Sequence, residues 1–147
     1  MTRTFSKLAA ILAVLAVTLV FAGSAPAATM SDEQLVQTRT AAMKQNGQIL
    51  RGAKNLSGAK AVDAANTVLK NFTSFPGLFR EGSITPNSRA TPKIWQNWAD
   101  FTKRMAAEKA SAQAMLAAAK AGKAAEYEAA IDALKSRCSS CHLTYAH

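Results

Sequence analysis

Residues 127–145 read YEAAIDALKSRCSSCHLTY. Tyr127, Ile131, Leu134, Cys138, Cys141 with His142, and Tyr145 recur in steps of three and four. That spacing gathers side chains onto one face of an α-helix. The apolar stripe runs straight into two thiols and an imidazole. The helix therefore predicts a core that receives whatever Cys138, Cys141 and His142 hold.

Working outward from this helix, Gly122 is the stop of the one before it. That earlier helix is expected to start at Thr91-Pro92, with Thr as N-cap and Pro at the first helical position. Its stripe is Ile94, Trp98, Phe101, Met105, Ala112 and Met115/Leu116. Residues 73–91 contain Pro76, Gly77, Gly82 and Pro86 and cannot form one continuous helix. So long a connection is unusual in a small domain. Phe75, Leu78 and Phe79 predict that it caps an apolar opening. Val62, Ala65, Leu69 and Phe72 mark another helix after a Leu56-Ser57-Gly58 turn.

The first helix opens at Ser31, with Gln34 completing a capping box and Asp32 and Glu33 in the first turn, and runs to about Lys54. Its inner stripe is expected to include Leu35/Val36, Arg39, Ala42/Met43, Asn46/Gly47, Ile49/Leu50 and Ala53. The expected fold is all-α: an antiparallel four-helix bundle with a long crossover between helices two and three.

Ahead of the bundle, Arg3 and Lys7 precede an apolar run from Leu8 to Phe21, then the small residues Gly23 to Ala28. This is the layout of a secretory signal peptide, with cleavage expected after Ala27. The apolar run is too short for stable membrane insertion. Residues 28–147 are left as one domain exported to the periplasm, large enough for a core of its own. The full chain carries 18 basic and nine acidic residues. Removal of 1–27 takes away two basic residues and no acidic one, leaving about +7. The charge suits a solvated basic surface or attraction to an acidic redox partner. No aromatic-and-basic pattern points to nucleic acid.

Cys138-Ser139-Ser140-Cys141-His142 has the C-x-x-C-H spacing of covalent haem attachment. Two thiols must each reach one vinyl group of the porphyrin, and an imidazole beside the second must turn beneath the iron. A thioredoxin-like redox pair would need a βαβ setting, and no strand pattern is present. A plain disulfide would not require His142. Zinc bound by Cys138, Cys141, His142 and His147 would ask the adjacent Cys141 and His142 to span a tetrahedron. The expected cofactor is one haem c with its iron, His142 being the proximal ligand. No nucleophile–base pair, carboxylate pair or phosphate-binding glycine loop suggests an enzyme.

The haem motif on the last of four helices resembles the class II cytochromes c, the cytochrome c-prime family. The resemblance extends to Arg39 followed by Met43, the Pro-rich aromatic crossover, the Ile94-Trp95-Gln96-Asn97-Trp98 string and Tyr145. It implies one of two functions. Low-spin members fill the sixth iron position with a methionine from helix one and carry electrons. High-spin members leave it open and bind nitric oxide or carbon monoxide. Met43-Lys44-Gln45-Asn46-Gly47 looks like the low-spin branch, which makes Met43 the expected sixth ligand. Arg39 cannot ligate as a cation and Asn46 is a poor donor, whereas the Met43 thioether is soft and flexible. The alternative is that Met43 only packs over an open distal face.

Gas-binding members carry a basic residue four positions after the haem histidine; here it is Ala146. Arg39, a charge on an inner stripe, is expected to pair with a haem propionate. Trp98 and Tyr145 are expected to pack around the haem. Many relatives dimerise, so the resemblance admits a homodimer.

Overall fold

Ser31 begins the first helix of the computed structural model, which describes residues 29–147; the expected signal peptide, 1–27, lies outside them. The Ser31 hydroxyl accepts from the Gln34 amide at 3.2 Å, and the Gln34 side chain accepts from the Ser31 amide at 2.8 Å. This reciprocal cap satisfies two donors that a helix start would otherwise leave open. Helix α1 covers Asp32–Gly52 and tightens into a 3-10 turn, Ala53–Asn55. Helix α2 spans Gly58–Ser74 and buries Ala61, Ala65, Val68 and Phe72. The buried face is thus rotated slightly from the expected one, leaving Val62 and Leu69 at its margin.

The crossover starts with the 3-10 turn Phe75–Leu78 and leads to a one-turn helix, α3 (Lys93–Gln96). Helix α4, Trp98–Ala121, follows after Asn97, whose φ of −125° and ψ of 44° interrupt the helix. The single helix expected from Thr91 is therefore two pieces. Thr91 does not cap it: its hydroxyl and its amide both donate to the Tyr145 carbonyl, at 3.1 and 3.0 Å. Gly122 ends α4 as expected, at φ 66°, with Lys123 N–H reaching back to the Ala118 carbonyl. Helix α5 covers Ala124–Tyr145.

Helices α1, α2, α4 and α5 form the expected four-helix bundle. The Lys54–Asp132 ion pair, 2.7 Å, ties the end of α1 to the early part of α5. At the other end Arg39 donates to Ser88, and nearby Thr91 binds Tyr145. The two helices therefore run antiparallel, their ends fixed by contacts on both sides. Ala90 also pairs with Ala146 in an isolated antiparallel bridge. Among the described residues, no helix is long and apolar enough to cross a membrane.

Candidate functional site

Between α1 and α5 lies a cavity of about 610 Å³, within the range of sites that enclose cofactor-sized ligands. One wall carries Cys138, Cys141 and His142; the opposite wall carries Met43, Asn46, Gly47 and Leu50. Phe75 and Phe79 from the crossover region and Phe101 and Met105 from α4 supply apolar surface between them. The helical spacing of Cys138 and Cys141 is what turns both thiols inward together.

Both cysteines are free. Burial, followed by the negative charge of Glu108, pushes the Cys138 thiol up to about 12 and the Cys141 thiol up to about 11. Both groups therefore stand as neutral thiols at neutral pH, not as reactive thiolates. Among the described residues, no group of three or more His, Cys, Asp or Glu could hold a metal ion. The His142 pKa is lowered, first by desolvation and then by Arg89, which disfavours the imidazolium.

Arg39 is 3% exposed. Its guanidinium donates to the Leu78 carbonyl at 3.0 Å, the Ser83 hydroxyl at 2.8 Å, the Ser83 carbonyl at 2.5 Å and the Ser88 hydroxyl at 3.1 Å. It also lies over the Phe79 ring, 4.7 Å from the centroid. Burial lowers its pKa, opposed by the charge of Asp32. Arg39 is thus a buried clasp on the crossover that also lines the cavity, with no carboxylate among its hydrogen-bond partners.

Tyr145 is buried on the cavity wall; its hydroxyl donates to Asp100 at 2.6 Å and its ring meets Phe101 edge-on. Trp98 differs from expectation. It is 40% exposed, does not line the cavity, and stacks on Phe101 from outside. It is the first residue of α4, directly after the non-helical Asn97, whereas Phe101 and Met105 farther along the same helix are buried.

Glu108 was not apparent as a site residue from sequence. It is 3% exposed, lines the cavity, and accepts from the Cys138 thiol at a sulfur–oxygen distance of 3.9 Å. Its position between Met105 and Ala112 on the α4 stripe was the available signal: an acid in a row of core residues.

A haem fits these residues. Two thiols and an imidazole stand on one wall, a thioether on the other, with aromatic surface between. At Gly47 an added Cβ would meet only Arg51 Nη1, at 3.7 Å, so α1 leaves open space beside the cavity. Asn46 Nδ2, buried in the same wall, has no partner within the protein.

The family profile described as Cytochrome C' matches residues 29–146. A cytochrome c-556 from Agrobacterium tumefaciens (strain II Chrys) is 35% identical over 117 residues, covering 75% of this chain and 94% of its own. Another from Agrobacterium fabrum (strain C58 / ATCC 33970) is 34% identical, covering 75% and 79%. The crystal structure of cytochrome c' from Thermochromatium tepidum shares the fold, with a TM-score of 0.73 and 24% identity over 80% of this chain and 98% of that one. A further cytochrome c', described as having ligand-controlled dimer dissociation, has a TM-score of 0.72 and 26% identity over 80% and 97%. The chain belongs to the cytochrome c' family: it is a class II cytochrome c, a non-enzymatic monohaem protein of electron transfer or gas binding with covalently attached haem c and its iron.

Proposed function

We propose that this chain carries single electrons in the periplasm; Cys138 and Cys141 would hold the haem through thioethers, and His142 and Met43 would hold its iron. The observation that supports the His/Met reading is that Met43 lines the cavity from α1 while Cys138, Cys141 and His142 line it from α5. The other candidates on the α1 wall are engaged otherwise. Arg39 is a cation clasped to the crossover, and the Asn46 amide oxygen accepts from Asn71 Nδ2 at 2.8 Å.

When bound, the haem iron supplies the one-electron couple, and His/Met ligation raises its potential. The chain supplies the rest. Tyr145 and Phe101 pack the cavity, and Arg39 offers a desolvated cation for a propionate. Lys44, Arg51 and Lys135 line the cavity, and among the described residues no ion pair occupies them. These cations suit the acidic face of a redox partner. Residues 1–27 direct export and are removed, leaving 28–147 as the haem-binding unit. Self-association as a homodimer is part of the proposal, by likeness to the dimeric relative.

Met43→Ala tests the reading. Reduced wild type is expected to bind carbon monoxide weakly, and the variant is expected to bind it readily. Equal, ready binding by both would instead support the gas-binding function.

A further inference from the structure

Glu108 is a buried acid with no role in attaching the haem or ligating its iron, and its placement is unusual in a second respect. Its side chain lines two spaces at once. One is the haem cavity; the other is a charged groove of about 430 Å³ on the outer side of α4 and α5, lined also by Asp100, Arg104 and Arg137. One carboxylate oxygen, Oε2, faces the Cys138 sulfur at 3.9 Å, and the other, Oε1, is buried with no hydrogen-bond partner in the protein. An unpaired carboxylate in such a place is costly as an anion and comfortable as an acid.

We propose that Glu108 is a redox-linked proton site, which takes up one proton through the outer groove when the protein accepts an electron and releases it on oxidation. The step balances: the electron comes from the redox partner, the proton from solvent, and the Glu108 carboxylate becomes a carboxylic acid. The physical cause is linkage. An electron added to the cavity makes a neighbouring anion less favourable, so it strengthens proton binding at Glu108. By reciprocity, a proton on Glu108 strengthens electron binding by the same factor.

The charged groups around Glu108 allow this. From α5 it faces Arg137, whose Nε–H is given to the Ser111 hydroxyl, and Lys135 at the cavity edge. Arg104 and Lys103 lie along its own helix on the groove side, where Arg104 is paired to Asp100. From α1, Lys44 and Arg51 line the cavity. No second carboxylate side chain lines the cavity, so Glu108 is its one acidic side chain among the described residues. Burial lifts its pKa to about 7 against the lowering by Arg137 and by the Cys138 hydrogen bond, and a thioether sulfur can no longer give that hydrogen bond. Once Cys138 and Cys141 are thioethers they no longer titrate.

The inference rests on the haem seat but not on the identity of the sixth ligand, which the visible spectrum reports separately. The test is the midpoint potential of the haem-loaded protein against pH, for wild type and Glu108→Gln. Wild type should show a potential that falls as pH rises through neutrality. The variant should match it at low pH, stay flat through the same range, and lie above it at high pH. Reduced-minus-oxidised infrared spectra of wild type supply a second readout that needs no variant: a protonated-carboxyl band should appear on reduction. A slope that persists unchanged in Glu108→Gln, a wild type that is flat near neutrality, or the absence of the carboxyl band would overturn the proposal.

Discussion

The two walls of the cavity are built differently. The α5 wall is anchored at several points. Tyr145 is tied to Asp100, Arg104 joins Asp100 to Ser140, and Thr91 holds the Tyr145 carbonyl. Beyond α5, His147 N–H donates to the Arg89 carbonyl, while Arg89 Nε–H donates to the His147 carbonyl. The α1 wall is held mainly where Arg39 grips the crossover and Asn46 accepts from Asn71, and between them Met43 is only partly buried. A fixed wall suits residues that bear covalent bonds, and an adaptable thioether suits the wall that sets access to the iron. In the proposed division α5 holds the cofactor and α1 governs what reaches it.

Breaking the α5 wall should have the largest effect. Cys138→Ala or Cys141→Ala leaves at most one thioether, and the double variant should lose at least the ~3–5 kcal/mol typical of deleting one large buried aromatic. Mass spectrometry and the yield of folded protein check this; wild-type yields of folded, haem-free double variant would refute it. Next comes the α1 clasp. Arg39→Met would leave two buried serine hydroxyls and two carbonyls without their donor, a loss of about 3 kcal/mol in denaturant unfolding. Hydrogen exchange should quicken across residues 78–88. Arg39→Lys should rescue little, since an ammonium cannot reproduce the planar fork.

Glu108 gives a smaller effect that depends on pH. Its native pKa is raised, first of all by burial, so the folded chain keeps a proton that the unfolded chain has already released. This group's contribution is thus fully present below about pH 4.5, falls as pH rises, and levels off above about pH 7, with a total change of at most ~3 kcal/mol. Denaturation of wild type against Glu108→Gln should show a difference that opens over that window and then stays constant. The smallest effect belongs to Gly47→Ala. Alanine in place of a helix-interior glycine should stabilise the haem-free chain by up to about 1 kcal/mol. Loading haem should erase the gain if α1 packs close against the porphyrin, and a gain kept in full would show that it stands away.

The bundle and the α5 wall were legible because their signals are local. A capping box, a glycine stop and a C-x-x-C-H string each specify their own few residues. What was not legible depends on distant partners. Arg39 reads as a charge on an inner stripe, yet its partners Leu78, Ser83 and Ser88 lie about forty residues away. Thr91-Pro92 has the local chemistry of a helix start, but the Tyr145 carbonyl takes the threonine hydroxyl. Trp98 has the helical spacing of a core residue, but it stands at the very start of α4, after the backbone break at Asn97, and is left 40% exposed. Glu108 drew no notice as an acid between core residues of one helix, and its place became plain only with the Cys138 thiol beside it.

Closure of the iron site by Met43 from α1 should show in the visible and near-infrared spectrum of the oxidised, haem-loaded protein. A low-spin iron with a sulfur-to-iron charge-transfer band that disappears in Met43→Ala is expected. A wild-type spectrum that is already high-spin and lacks that band would contradict it.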